Sequence, residues 1–100
     1  MKSVPFQAVR DAYLAKRPGG LWFSRDAMKM FGTRLPRRAF PCCYGVYFVT
    51  SEMDFHGVVR RFTVRLQLPD GNIRQASDYL QFLTCAEAMA FISQRIGVAA

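Results

Sequence analysis

Arginine spacing carries most of the chemistry this chain can offer. Residues 58–68 read VVRRFTVRLQL, with Phe62, Val64, Leu66 and Leu68 alternating with Arg61, Thr63, Arg65 and Gln67. Side chains alternate across a strand, so this segment has one oily face and one cationic face. Arg74 falls in the next extended segment, and Arg25, Lys29, Arg34, Arg37 and Arg38 form a second cluster close in sequence. Guanidinium groups pair bidentately with phosphate and carboxylate alike. The chemistry in view is therefore anion recognition, by Arg61, Arg65 and Arg74 on a sheet and by Arg25, Lys29, Arg34, Arg37 and Arg38 beside it. Local pairing with Glu52, Asp54 and Asp78 competes with that use, but three acids cannot neutralise all of these bases.

Other reactive side chains form no constellation. His56 is the one histidine, set in a predicted turn without a neighbouring Ser or Cys in sequence. A general base needs a nucleophile or substrate proton within reach and a group to orient it, so no catalytic residue is expected. Asp26 and Glu87 fall where helix starts favour an anion. Cys42-Cys43 is a vicinal pair rather than a CxxC motif. Together with Cys85 and His56 it counts to four zinc ligands, but vicinal ligation is sterically awkward and Cys85 fits a buried helix stripe. No GxxxxGK[ST] or GxGxxG loop is present, and Pro18-Gly19-Gly20 reads as a turn. Neither an enzyme, nor a cofactor, nor a metal site is expected. Tyr47 on an open sheet face could stack on a base, although packing is the commoner use of an aromatic residue in a small sheet.

The charge is lopsided. The chain has 100 residues, 51% of them hydrophobic, and a net charge of +7. Residues 1–65 hold twelve basic and four acidic residues, a balance of +8, and residues 66–100 balance at −1. Such a field draws anionic partners: nucleic acid, an acidic protein surface or anionic lipid. Three cysteines make no disulfide framework, and no apolar run approaches the roughly 18 residues of a membrane span. A cytoplasmic protein with reduced thiols and no membrane role is the expectation.

One domain spanning residues 1–100 must position these residues, with residues 1–20 as an N-terminal helix and turn and 21–97 as the core. Phe6, Val9, Tyr13 and Leu14 fall on one helical stripe over 5–16, with Ser3 as a cap and Pro5 at the first helical position. Leu21-Trp22-Phe23 is an apolar anchor, and a short helix follows from Ser24 to about Phe31. Pro36 and Pro41 leave residues 33–43 irregular. Strands are expected over 44–51, 58–68 and from Ile73, the last two joined by the Pro69-Asp70-Gly71-Asn72 turn. Thr84 and Glu87 form a capping box for a helix to about Ile96, stopped by Gly97, with Cys85, Ala88, Met89, Ile92 and Ile96 inward and Phe91 on the flank. The expected fold is α+β, order ααβββα: a three-stranded antiparallel meander with the 58–68 strand in the middle. Helices cover its oily face and leave Arg61, Thr63 and Arg65 on a partly open one. The weak third strand could pair edge-to-edge with a copy of itself, so a monomer and a homodimer are both compatible.

These residues also fall in a familiar order. Trp22-Phe23-Ser24-Arg25-Asp26-Ala27-Met28 with Phe31-Gly32-Thr33-Arg34 resembles the opening motif of a family of small proteins from phages, plasmids and other mobile elements. Tyr47-Phe48-Val49-Thr50-Ser51-Glu52, Arg61-Phe62-Thr63-Val64-Arg65 and Thr84-x-x-Glu87-Ala88 resemble its later blocks, so that the resemblance spans about residues 22–92. The segment 36–44 and the N-terminal helix depart from it. The resemblance implies a mobile-element accessory protein, non-enzymatic, that binds and inhibits or modulates a host protein or nucleoprotein complex, as anti-CRISPR proteins do. Direct DNA or RNA binding through the arginines is the alternative.

Overall fold

The structure, a computed structural model, describes residues 2–23, 38–54, 57 and 59–99. Strand β1 is Val4–Pro5, helix α1 Phe6–Lys16, and the strands β2, β3, β4 and β5 are Arg38–Cys42, Gly45–Met53, Arg60–Gln67 and Ile73–Gln75. Helix α2 is Cys85–Ala99. The strands form one sheet in the order β1-β2-β3-β4-β5, each pair antiparallel.

A five-stranded sheet replaces the expected three-stranded meander, and β3 rather than the 58–68 strand is its centre. The two additional strands are those that sequence patterning handles worst. β1 is too short to show any alternation. β2 contains Pro41, which pairs with Val46 beside the Cys42↔Gly45 pair that closes the Cys43-Tyr44 turn. Alternate residues of an antiparallel strand point their N–H away from the partner, and β1 runs alongside only Arg38 and Ala39. A proline at position 41 therefore removes no bond from the ladder. The expected helix over 24–31 lies outside the described residues.

Both faces of the sheet carry fully buried residues, where the second face is expected to be partly open. Phe48 and Val49 are neighbours on β3, so they point to opposite faces, and both are 0% exposed. The oily face of β4 is packed against α2, through Ala88 and Ile92. The other face carries Val46, Phe48, Thr50 and Glu52 of β3, opposite Gln67, Arg65, Thr63 and Arg61 of β4. Helix α1 and the Trp22–Phe23 anchor close over its Phe48 end. The Phe6 ring meets Phe48 edge-on at 5.3 Å, Phe23 does so at 6.0 Å, and Trp22 stacks at 6.4 Å. Gln67, buried beneath α1, donates its Nε2 to the Val9 carbonyl at 3.0 Å. Phe48 gives the Trp22–Phe23 anchor an apolar seat on the arginine face of the sheet, the face opposite α2.

The outer edge of β4 is satisfied by the chain that follows β5. Ala76 and Ser77 donate their N–H groups to the Val64 carbonyl at 2.9 and 3.2 Å, and the Ser77 hydroxyl accepts from the Val64 N–H. Leu80, with φ of +57°, donates its N–H to Thr63 Oγ1 at 2.8 Å, and Phe82 exchanges both backbone bonds with Phe62. The α2 cap forms as the sequence predicts, Thr84 Oγ1 accepting from the Glu87 N–H at 3.1 Å.

Gly97 does not stop α2, which continues to Ala99, and a Cβ at Gly97 would meet nothing within 4 Å. Gly97→Ala is therefore expected to stabilise the protein by about 0.5–1 kcal/mol, raising the melting temperature by a few degrees in a thermal melt. A lowered melting temperature would contradict a helical Gly97. No helix among the described residues is long and apolar enough to cross a membrane.

Candidate anion-binding surface and aromatic cavity

The strand register sorts the arginines into those that hold the fold and those that face outward. Arg65 runs along β3. Its Nε donates to Thr50 Oγ1 at 3.0 Å, its Nη2 lies 3.4 Å from Glu52 Oε1, and its guanidinium carbon stands 4.9 Å from the centre of the Phe23 ring. Burial pulls its pKa below the usual arginine value, and Glu52 and Tyr79 push it back up. The Tyr79 hydroxyl donates to the second Glu52 oxygen, Oε2, and this bond raises the tyrosine's pKa. Glu52 is thus occupied on both oxygens.

Arg38 donates to Ser3 Oγ at 3.0 Å and to the Ser3 carbonyl at 3.1 Å, holding the N-terminus on β2. Ser3 is consequently not the cap of α1, which has no side-chain cap. Arg60 donates to the Ser51 carbonyl and hydroxyl at 3.2 and 2.9 Å. Arg61 faces Glu52 in the register, but that carboxylate already serves Arg65 and Tyr79. Arg61 is half-buried and Arg74 exposed, and neither has a hydrogen bond or ion pair among the described residues. Arg25, Lys29, Arg34 and Arg37 lie outside the described residues. Tyr47 packs on the α2 side of the sheet, 6% exposed, and burial raises its pKa.

The thiols differ sharply. Cys43 is exposed in the β2–β3 turn, and Cys42 Sγ accepts from the Tyr44 N–H at 3.4 Å. Cys85 is half-buried at the start of α2, and burial pushes its pKa up to about 11. The thiolate is the nucleophile, so Cys85 stays protonated at mildly alkaline pH. An aromatic disulfide reagent is expected to label Cys43 quickly in the folded protein and Cys85 only after denaturant is added. Mass spectrometry of the labelled peptides reads the order, and equal rates for the two would contradict the packing of α2.

The arginine pattern does not reveal a cavity of about 390 Å³ between the Trp22–Phe23 anchor and the β5 edge. Tyr13, Leu21, Trp22 and Phe23 line one side, Ile73, Arg74 and Gln75 the other, and Arg65 completes the wall. The Tyr13 and Trp22 rings lie 5.4 Å apart, and Trp22 and Phe23 5.1 Å apart. Arg17 stands 5.2 Å from the Tyr13 ring centre, a further cation beside these aromatics. The sequence reading places Tyr13 and the anchor as packing residues. Their convergence with β5 depends on the way α1 folds back over the sheet, and no local pattern records that. Among the described residues no group of three or more His, Cys, Asp or Glu could hold a metal ion.

The described residues define an α+β domain, an antiparallel five-stranded sheet with α1 on one face and α2 on the other and an aromatic cavity at one edge. The chain belongs to a family of unknown function, DUF7447, which it matches over residues 7–93, from α1 into α2. No curated protein and no solved structure matches it.

Proposed function

We propose that this is a non-enzymatic accessory protein of a phage or other mobile element, which binds an anionic surface of a host protein or nucleoprotein complex and inhibits or modulates it. Anti-defence activity of the anti-CRISPR kind is the form this would take. The observation that carries the reading is the pair of cations, half-buried Arg61 and exposed Arg74, without hydrogen-bond or ion-pair partners among the described residues while Glu52 is committed to Arg65 and Tyr79. Cations left unneutralised on a chain of net charge +7 steer and hold an anionic partner.

A pull-down from host lysate tests it, using wild type, Arg61→Gln and Arg74→Glu singly and together, with and without nuclease. Wild type is expected to retain a stable partner that the double variant loses while its melting temperature stays within about 2 °C of wild type. Failure of wild type to recover any partner, with or without nuclease, would refute the proposal.

Direct DNA or RNA binding is the second reading, favoured by the aromatic rings that line the cavity on a chain of net charge +7. Phosphate contacts release counterions, so an electrophoretic shift at low salt should weaken steeply as salt rises. No shift at low salt with any single- or double-stranded probe would end this reading.

A further inference from the structure

We propose that the outer edge of β5 takes an extended peptide as a further strand, with apolar side chains entering the aromatic cavity and a carboxylate between them meeting Arg74. The proposal rests on the anion-binding reading and gives its partner a form: an extended protein segment with an acidic residue between two apolar ones. Backbone hydrogen bonds define the edge. Leu68 donates its N–H to the Asn72 carbonyl at 2.7 Å, and Ala76 donates to the Val64 carbonyl at 2.9 Å. Bonded pairs alternate along an antiparallel ladder, so Leu66 and Arg74 are the bonded pair between these two. Ile73 and Gln75 therefore aim their N–H and C=O groups away from β4, and among the described residues no strand lies beyond β5. Unpaired groups of this kind are a template for another strand.

The register divides the side chains of β5 between the two faces. Ile73 and Gln75, opposite Gln67 and Arg65, lie on the face of the aromatic rings, and Arg74, opposite Leu66, lies on the α2 face. The cavity, about 390 Å³, has Ile73 and Gln75 on one side and Tyr13, Trp22 and Phe23 on the other. Alternate side chains of a strand added beside β5 project into that space. Arg65 in its wall is already engaged by Thr50, Glu52 and the Phe23 ring, so the cavity suits apolar groups rather than an anion. Leu21, also in its lining, is 90% exposed, which leaves apolar surface for a partner to cover. On the opposite face Arg74 is exposed and has no hydrogen bond or ion pair among the described residues. The added residue opposite Arg74 points to that same face, where a carboxylate is the complementary neighbour. A second copy of this chain fits less well. Antiparallel self-pairing along the whole of β5 sets Arg74 against Arg74, and like charges directly opposite are destabilising.

Trp22 is the one tryptophan of the chain, so its fluorescence reports on the cavity. The probe is a peptide blocked at both ends, Ser-Thr-Phe-Glu-Leu-Thr-Ser, titrated into the intact protein up to millimolar concentration. It is expected to change Trp22 fluorescence saturably. It should also slow amide hydrogen exchange at Ile73 and Gln75 but not at Arg74, whose N–H β4 already holds. Replacing its Glu by Lys, or moving the Glu outside the two apolar residues, is expected to weaken binding at least about threefold. Methylating the backbone nitrogens of Phe and Leu, which face β5 in an antiparallel added strand, is expected to abolish binding, and methylating that of Glu to spare it. The reverse pattern makes the added strand parallel and keeps the proposal. Arg74→Glu is expected to remove the preference for the Glu peptide over the Lys peptide. Gln75→Pro is expected to lose binding with the fold intact, because the Gln75 N–H faces outward and a proline there breaks no ladder bond. No saturable change with any of these peptides overturns the proposal, and so does equal binding of the methylated and unmethylated forms. A dimer in light scattering that Gln75→Pro dissociates also overturns it, by making a second copy the occupant. An inert peptide series beside a pull-down that still depends on Arg61 removes this edge and leaves the anion-binding reading in place. Binding with the expected methylation pattern beside an empty pull-down keeps the edge and refutes that reading.

Discussion

Arg65→Glu is expected to cost about 2–4 kcal/mol of stability, which for a chain of this size lowers the melting temperature by about 10–20 °C. The wild-type guanidinium ties together four groups: Thr50, Glu52 and, through Glu52, Tyr79, with the Phe23 ring beneath it. A carboxylate at position 65 reverses the charge facing Glu52 and removes the cation that Phe23 covers. The side chains of Arg65 and Glu52 are 12% and 28% exposed, so solvent screens the new repulsion only in part. Arg65→Met keeps an apolar stem against Phe23 and is expected to cost less, since it leaves Glu52 underpaired without adding a second negative charge. Adding Glu52→Gln should then recover part of the Arg65→Met loss, and a double-mutant cycle by thermal denaturation measures that coupling. Additive effects in the cycle would mean that the two side chains do not act together. Arg61→Gln, four residues away on the same face of β4, removes a charge that makes no ion pair among the described residues and is expected to leave the melt nearly unchanged, so changing the two arginines separately distinguishes a structural cation from one free to contact a partner.

That contrast marks where the sequence stops being informative. Alternation in β4 is legible because Phe62, Val64 and Leu66 differ so plainly from Arg61, Thr63 and Arg65, and α2 is legible from its cap and its inward stripe. Alternation tells which residues share a face. It does not tell what lies above that face, because a long arginine stem packs as readily under a phenylalanine ring as it reaches into water. Arg61 and Arg65 therefore look equivalent in sequence and have different surroundings in the fold. Arg38 is a comparable case: its neighbours in sequence suggest a basic loop, whereas its partner Ser3 lies 35 residues away. The cavity is the extreme case, since Tyr13 and Trp22 line it together with Ile73 and Gln75 of β5, and only the folded topology brings them together. β2 is illegible in the sequence because proline is depleted from strands on average, and the average ignores which way a given N–H points.

The start of β3 gives the other large effect. Gly45 has φ of +146°, and a Cβ built there would lie 2.1 Å from the Gln67 carbonyl oxygen and 3.1 Å from its carbon. Both atoms are backbone of β4, so no rotamer change can clear them. Gly45 also pairs with Cys42 at the turn that joins β2 to β3, and the adjoining register pairs Val46 with Gln67. A methyl group at this point must either unwind the turn or push β3 away from β4 where Gln67 Nε2 holds the Val9 carbonyl of α1. Each outcome breaks contacts on two sides of the sheet. Gly45→Ala is therefore expected to cost about 3 kcal/mol or more, combining backbone strain with overpacking, and to weaken the docking of α1. Gly97→Ala, whose added methyl meets nothing, is the matched control and should move stability the other way. Equilibrium denaturation of the two variants, with hydrogen exchange at α1 as a local readout, checks the prediction. A Gly45→Ala protein as stable as wild type would mean that β3 and β4 are farther apart at Gln67 than this register places them.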